Sequence, residues 1–444
     1  MERKKRVFLV GIGGIGMSAL ARLYQGQGWH VAGSDAARSE LTDELRQEGI
    51  PVTIGHSGKR IPKKTDLVVY NRAIHDDNPD IRAARKRRIA TIPYAEALGK
   101  ITEAYATIAI TGSHGKSTTT ALAAITLTKG GLDPTVLIGT KLKELKGKNI
   151  RIGNGPYLVL EADDFGAAFT AYSPAVAIVT NIDREHLDFY KNFTNVKKAF
   201  LKFLGRVRPG GLMILNRDDA PLWSLRANIT KIAHRNSVVV VWYSRENSAG
   251  KKVKRAMSLP GAHNTSNATA VYELGRLLRI PENKILSALH AYRGAWRRME
   301  RRGTFRGAPV FDDYAHHPTE IAATLAGFRE KFPKKKILCV FQPHQAQRLA
   351  LLFREFQAAF RDADELLILP LYHVAGRDAV LKNRDSAALV KAMQRQEPRR
   401  PVFYLPDPGK LREAILSLDR TPLSQKVIVM MGAGDIVKLT DKLL

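Results

Sequence analysis

The sequence predicts an α/β protein built on doubly wound, mostly parallel sheets. Short, unbroken apolar runs alternate with helix-like stretches along the chain, as in parallel sheets covered on both faces. Two glycine-rich turns each follow such a run and open a helix. The length of 444 residues suits about three domains at ~150 residues each. The apolar runs are Val7–Val10, Leu67–Tyr70, Thr107–Ile110, Tyr157–Leu160, Val176–Thr180, Lys336–Phe341, Glu365–Leu369 and Val427–Met431. Their length and continuity read as strands. Ser117–Lys129 and Ala346–Arg361 carry the spacing of helices. One boundary is expected near Gly99–Ala104, between the helix-like Tyr94–Leu98 and a strand over Ala106–Ile110. A second is expected near Gly294–Gly303, where GAWRRMERRG precedes a new strand-rich region. The expected domains are 1–103, 104–297 and 298–444.

Hydrophobic residues at 44% and charged residues at 25% exclude a disordered chain. The single cysteine, Cys339, excludes a disulfide framework and a cysteine-based zinc site. Lys and Arg number 71 against 42 Asp and Glu, a net charge of +29. The basic runs Arg85–Arg88, Lys251–Arg255, Arg297–Arg302 and Lys334–Lys336 are short, scattered and free of interleaved aromatics. They read as solvated surface, and no nucleic-acid partner is expected. No apolar run reaches the ~18–20 residues that span a bilayer. The opening MERKKRVFLVGIGGIG runs directly into a glycine fingerprint, so it is not read as an export signal, and the expected location is the cytoplasm.

Gly11, Gly13 and Gly16 satisfy the GxGxxG spacing between the strand RVFLV and the helix-like MSALARLYQGQG. Glycines there permit a tight turn and let main-chain N–H groups approach a phosphate at a helix N-terminus. Asp35 closes the next strand, 19 residues after Gly16, where a ribose contact is expected. A second phosphate loop, Thr111-Gly-Ser-His-Gly-Lys-Ser-Thr-Thr119, follows the strand Thr107–Ile110. Its amides and helix dipole suit phosphates, Lys116 suits β/γ oxygens, and Ser117 suits Mg²⁺. Two such loops imply two nucleotides and argue against a simple NAD-dependent oxidoreductase, which would rest on the first loop alone. Glu161-Ala-Asp163-Asp164 and Thr180-Asn181-Ile-Asp183-Arg184-Glu185-His186 each follow a strand, placing carboxylates and an imidazole where a cation beside the loop would lie.

Taken together, GIGGIGMSALA, TGSHGKSTTT, LEADD, TNIDREHLDFY, GAHNTSN, DDYAHHPTE and FQPHQAQR, spread from near Val7 to Gly434, resemble the Mur ligase family. Its members build the peptide of peptidoglycan precursors, and the resemblance is nearest to the alanine-adding branch. It implies a Rossmann-like UDP-sugar domain, a central ATPase domain and a C-terminal Rossmann-like amino-acid domain. It implies that Gly112, Ser113, His114, Gly115, Lys116, Ser117 and Thr118 bind ATP with Asn264, Asn267, Arg298 and Asp313. Lys116, His186, Arg298 and Asp313 would be catalytic, and Ser117, Glu161 and His186 would hold Mg²⁺. Gly13, Gly14, Ile15, Gly16, Met17 and Ser18 would face the UDP diphosphate, with Asp35, Ala73 and Ile74 near the uridine. Tyr314, His316, His344 and Arg348 would surround the amino acid.

The implied reaction joins an amino acid, L-alanine by this resemblance, to the lactoyl carboxylate of UDP-N-acetylmuramate. A carboxylate is a poor electrophile, and phosphorylation by ATP gives an acyl phosphate that an amine can attack, releasing ADP and phosphate. Positioning and charge neutralisation would supply most of the catalysis. His316 and His344 are candidate bases by type. Several positions depart from the family pattern. Glu161-Ala-Asp-Asp-Phe leans toward a tripeptide-recycling ligase, the alternative reading. Asn71-Arg72 stands where small serines are usual. Gln345 replaces an arginine after His344, which leaves glycine or serine open as the added amino acid. Lys198 and Lys202 lie near the place of a modified lysine in sister enzymes, and neither is assigned. An inactive nucleotide-binding protein is the remaining alternative, and the intact Lys116, Glu161 and His186 argue against it.

Overall fold

Three sheets order the chain. The computed structural model describes residues 3–71, 73–373, 384–418 and 421–444. The first sheet contains β1 (Arg6–Val10), β2 (His30–Asp35), β3 (Val52–Ile54), β4 (Leu67–Tyr70) and β5 (Ala90–Pro93), in the order β3-β2-β1-β4-β5. All its pairings are parallel. The order reverses beside β1, so the glycine loop after β1 sits at the switch point where such sheets bind ligands.

The second sheet contains β6 (Ala106–Thr111), β7 (Thr135–Leu142), β8 (Lys148–Arg151), β9 (Tyr157–Glu161), β10 (Val176–Val179), β11 (Leu212–Asn216) and β12 (Val239–Tyr243). Its order is β12-β11-β10-β6-β9-β7-β8, and only the β7–β8 pair is antiparallel. With β6 between β10 and β9, Thr111 pairs with Val179 and Ile110 with Glu161. The three loops carrying TGSHGKS, EADD and TNIDREH therefore leave the same edge side by side. The third sheet contains β13 (Glu300–Phe305), β14 (Ala308–Asp313), β15 (Lys336–Phe341), β16 (Glu365–Ile368), β17 (Val402–Tyr404) and β18 (Lys426–Met431), ordered β13-β14-β18-β15-β16-β17. Only β13–β14 is antiparallel. Asp313 and Phe341 both pair with Met431, which brings the loops after β14, β15 and β18 together.

The chain forms two compact units, Met1–Val253 with Asn267–Leu289, and Lys254–Ser266 with His290–Leu444. The division passes through the helix Ala262–Leu277. In the first unit one apolar core runs from Val7 to Val238 and includes residues of the first two sheets. The helix Tyr94–Ala104 occupies the stretch where a boundary was expected near Gly99–Ala104. It buries Ala97, Leu98, Gly99, Ile101 and Thr102. Gly99 lets it approach closely, since a Cβ there would stand 2.6 Å from the Ala171 carbonyl oxygen.

All eight apolar runs form strands. The helix expected over Ala346–Arg361 is instead two, Ala346–Leu351 and Phe353–Ala359. Leu352 leaves helical geometry at φ −112° and ψ 25°. The break accompanies burial of Leu352, Phe353, Phe356 and Phe360 in one core, so packing overrides the local period.

Candidate functional site

The second glycine loop is held by the loop after β10. The His114 amide donates to Asn181 Oδ1 at 2.8 Å, and the His114 carbonyl accepts from Asn181 Nδ2 at 3.0 Å and Thr180 Oγ1 at 2.6 Å. His114 Nε2 lies 2.9 Å from Asp183 Oδ2, and the Asp183 amide donates to Ser113 Oγ at 2.8 Å. Glycine is required twice. A Cβ on Gly112 (φ +142°) would stand 2.0 Å from Thr180 Oγ1, and one on Gly115 (φ +81°) would stand 2.5 Å from Asn267 Oδ1. Gly115 caps the helix Lys116–Gly130, whose first-turn N–H groups and dipole favour an anion.

Lys116 Nζ donates to the Gly112 carbonyl at 2.7 Å, the Ser113 carbonyl at 3.1 Å and Asp164 Oδ1 at 2.7 Å. Burial works against its charge, but Asp164, Asp163 and Glu161 outweigh burial and hold the ammonium above the ordinary lysine range. Ser117 Oγ donates to Glu161 Oε1 at 2.9 Å, and Glu161 Oε2 accepts from the Gly139 amide at 2.8 Å. His186 gathers with Asp163 and Asp164, with one ligand atom of each within 4.8 Å of the others. Asp164 is buried, and its Oδ2 has no hydrogen-bond partner among the described residues. His186 adopts φ +54° and meets Phe165 edge-on, ring centres 5.0 Å apart. Oxygen-rich donors with one imidazole suit a hard divalent cation. Lys198 and Lys202 are both exposed on the helix Phe193–Leu204.

At the first loop, Gly11 takes φ +78°. The Gly13 amide donates to Asp35 Oδ2 at 2.7 Å, so Asp35 fixes the loop directly. Met17 and Ser18 bury their side chains. The Ser18 amide donates to the Gly14 carbonyl at 2.8 Å; Ile15, Gly16 and Met17 supply the first-turn amides that lack an intrahelical acceptor. Asn71 organises the neighbouring turn: its Oδ1 accepts from the Ala73 amide at 3.0 Å, and its carbonyl accepts from Ile74 at 2.9 Å. Its partner in that departure, Arg72, lies outside the described residues. Buried Ser34 and Asp80 form a polar knot with the partly buried His56 beside Asp35, with Ser34 Oγ 2.7 Å from Asp80 Oδ2 and 3.0 Å from His56 Nδ1.

In the second unit, Asp313 is buried and accepts from the amides of Met299 at 2.8 Å and Ala315 at 2.9 Å. Burial raises its carboxyl against the pull of Arg298 and these amides. Arg298 lies over the Tyr314 ring at 5.0 Å and 3.8 Å from Glu320 Oε1. Glu320 Oε2 also accepts from the His316 amide at 3.2 Å and lies 3.4 Å from His316 Nδ1. The His316 ring is 5.3 Å from Tyr314 and 6.1 Å from His344, which stacks on Tyr372 at 5.5 Å. Arg348 Nη1 donates to the His344 carbonyl at 3.2 Å, and Gln345 takes φ +68°. Tyr314, His316 and His344 are thus one cluster, with Arg348 on the His344 main chain. Asn264 is buried and donates to the Pro260 carbonyl at 2.7 Å.

Comparison with known proteins accounts for this arrangement. Residues 6–106 match the Mur ligase family, catalytic domain; 110–275 the Mur ligase middle domain; and 297–434 the Mur ligase, glutamate ligase domain. The chain belongs to the Mur ligase family. The UDP-N-acetylmuramate–L-alanine ligase of Desulfosudis oleivorans is 38% identical over 99% of this chain and 97% of its own. That of Aquifex aeolicus is 37% identical, covering 100% and 98%. Among solved structures, the UDP-N-acetylmuramate–alanine ligase of Thermotoga maritima matches with a TM-score of 0.75 at 29% identity, over 99% of this chain and 98% of that one. A murein peptide ligase from Psychrobacter arcticus shares the fold, with a TM-score of 0.66 at 20% identity over 99% and 98%.

Several residues that shape the loops of this Mur ligase are absent from the sequence-derived site. Asp163 and Asp164 stood inside a motif already read, and their acidity was the available signal. Asn181 and Asp183 also stood in a motif, but their work is to bind the main chain and side chains of a loop ~70 residues away, which spacing does not reveal. Glu320 closes the DDYAHHPTE motif but was given no role there, and Tyr372 gave no signal of its own. Arg297 is buried and donates to the carbonyls of Gly432 and Gly434, while Gln342 Nε2 donates to Asp435 Oδ1 at 3.0 Å. These contacts fix the turn after β18, which sequence reasoning passed over.

Proposed function

We propose that this Mur ligase joins L-alanine to the lactoyl carboxylate of UDP-N-acetylmuramate at the expense of ATP, in the cytoplasm, for cell-wall synthesis. The observation that carries the substrate assignment is full-length similarity to ligases of that activity, 38% and 37% identical. The site supports the chemistry. A phosphate loop with a half-buried lysine lies beside two acid-bearing strand ends, and a separate glycine loop offers helix N-terminal amides.

In this reading residues 1–103 take the sugar nucleotide, 104–297 take ATP and 298–444 take the amino acid. The amides around Gly13–Ser18 hold the diphosphate. Asp35 braces the loop near the ribose, with Ala73 and Ile74 beside the uridine. Gly112–Thr118 cradle the ATP phosphates, Lys116 neutralises their charge, and Asn264, Asn267, Arg298 and Asp313 serve the nucleotide. Ser117, Glu161 and His186, joined by Asp163 and Asp164, would hold Mg²⁺. The bound cation would offset phosphate charge. The carboxylate oxygen takes the γ-phosphoryl group and ADP leaves; the amine then displaces phosphate and gives up a proton. Tyr314, His316, His344 and Arg348 orient the amino acid, with His316 or His344 positioned to take that proton.

Phosphate release measured with UDP-N-acetylmuramate and, in turn, alanine, glycine, serine and the tripeptide tests the assignment. Turnover is expected to need both substrates and to be fastest with alanine. Preference for the tripeptide would favour the recycling activity that Asp164-Phe165 leans toward, and turnover without the sugar nucleotide would sink the proposal.

A further inference from the structure

The last glycine of the first loop packs against a tyrosine. A Cβ on Gly16 would stand 3.0 Å from Tyr94 Oη and 3.1 Å from Cζ, so the phenol end of the ring lies directly on the loop's helix N-terminus. Tyr94 follows β5, whose Pro93 pairs with Tyr70 of β4. It therefore stands at the same edge of the sheet as the loops after β1 and β4, the edge where parallel sheets take ligands. Its place is rigid, because it opens the helix Tyr94–Ala104, whose inner face is buried. Among the described residues its hydroxyl has no hydrogen-bond partner, although the ring is partly buried. Burial, with the negative charges of Asp163 and Glu161, pushes the phenol above its ordinary range, so it remains protonated. A phenol of this kind is a proton donor beside a loop that offers only main-chain amides.

We propose that Tyr94 Oη donates a hydrogen bond to the sugar-side phosphate of the bound uridine diphosphate, making it a binding and positioning residue for the sugar nucleotide. This rests on assigning the first loop to a UDP-sugar. A neutral donor at the end of the anion cradle adds to the helix N-terminus without a second positive charge. Gly16 lies in the helix Ile15–Gly26 with no positive φ, so what glycine supplies there is room: a Cβ would press on the donor.

The test is calorimetric titration of the full chain and Tyr94→Phe with UMP, UDP and UDP-N-acetylmuramate, with steady-state kinetics for ATP and melting temperatures alongside. Removing only the oxygen should weaken UDP and UDP-N-acetylmuramate about ten-fold or more, as for a lost hydrogen bond to a charged group. UMP affinity, the KM for ATP and the melting temperature should stay unchanged. Unaltered UDP affinity would overturn the proposal. So would equal weakening of UMP, which marks general damage to the loop, or weakening of UDP-N-acetylmuramate alone, which moves the contact beyond the diphosphate. A wild-type chain that binds neither UDP nor UDP-N-acetylmuramate would instead overturn the UDP-sugar reading, and this assignment with it.

Discussion

Lys116 has competing demands: two loop carbonyls and Asp164 all accept from its ammonium. Lys116→Ala is expected to abolish turnover while leaving UDP-sugar affinity nearly intact, because the first loop lies on another sheet. The loss should be about 3–4 kcal/mol of transition-state stabilisation, by analogy with other charge-stabilising contacts. Calorimetry with UDP-N-acetylmuramate beside a phosphate-release assay checks both halves. Gln345 poses a different question. Arg348 donates to the carbonyl of the adjacent His344, and a neutral amide offers weaker grip on a carboxylate than a second arginine. Gln345→Arg should raise kcat/KM for alanine by about 1–2 kcal/mol in barrier terms; lower kcat/KM for every amino acid would reject the carboxylate assignment. Asp219 supplies a pH dependence. Burial raises its carboxyl to about 6, against the amides of Leu222 and Ile182. The folded state thus holds the proton more tightly than the unfolded chain. That contribution is complete below the usual value of 3.8 and is lost as pH rises through about 6. Asp219→Asn should gain stability relative to wild type between pH 4.5 and 7, by about 1–2 kcal/mol after discounting partial exposure. Denaturant melts at the two pH values decide it, and a constant difference would refute the shift.

At the scale of elements, the motif-bearing loops were legible because each follows a short apolar strand and opens a helix or turn. Local sequence pattern could therefore place Lys116, Glu161 and His186 near strand ends. What linked them was sheet order: β6 lies between β9 and β10, and no local pattern encodes lateral neighbours. The break at Leu352 was illegible for a related reason, since the run carries helical spacing and only the core it enters decides where it bends. The helix opened by Gly115 gives a sharp test. Gly115→Ala puts a side chain at φ +81° and drives it onto Asn267. Left-handed geometry alone costs about 1–2 kcal/mol. The melting temperature should fall by several degrees, with at least ten-fold weaker ATP binding. A variant with wild-type ATP affinity would show that the loop tolerates displacement.

For the whole molecule, the expected boundary near Ala104 bears on folding. The first two sheets contribute to one core, and the helix Tyr94–Ala104 buries its inner face. Arg22, itself buried, pairs with Glu48 at 2.6 Å and Glu44 at 2.9 Å, while Lys148 of β8 reaches the same Glu48 at 2.8 Å. Asn149 donates to the Ile15 carbonyl at 2.8 Å, tying β8 to the helix Ile15–Gly26. A fragment of residues 1–104 should therefore melt at least ~10 °C below the full chain or aggregate, because it exposes that apolar face. Cooperative melting of the fragment at the temperature of the intact protein would show that the shared core contributes little.

Sequence by itself determined the α/β class, the two phosphate loops, the family resemblance and the residue types available for phosphoryl transfer. Each follows from local rules: strand runs, glycine geometry, and acids or a lysine at loop positions. Tertiary structure decided which of those residues meet. It gathered Asp163, Asp164 and His186, made Asp35 a brace for Gly13, turned the side chains of Met17 and Ser18 into the core, and set Tyr94 against Gly16. The physical reason is that strand order and side-chain packing are long-range properties, settled by shared burial between segments far apart in the chain, whereas propensity and motif spacing are settled within a few residues.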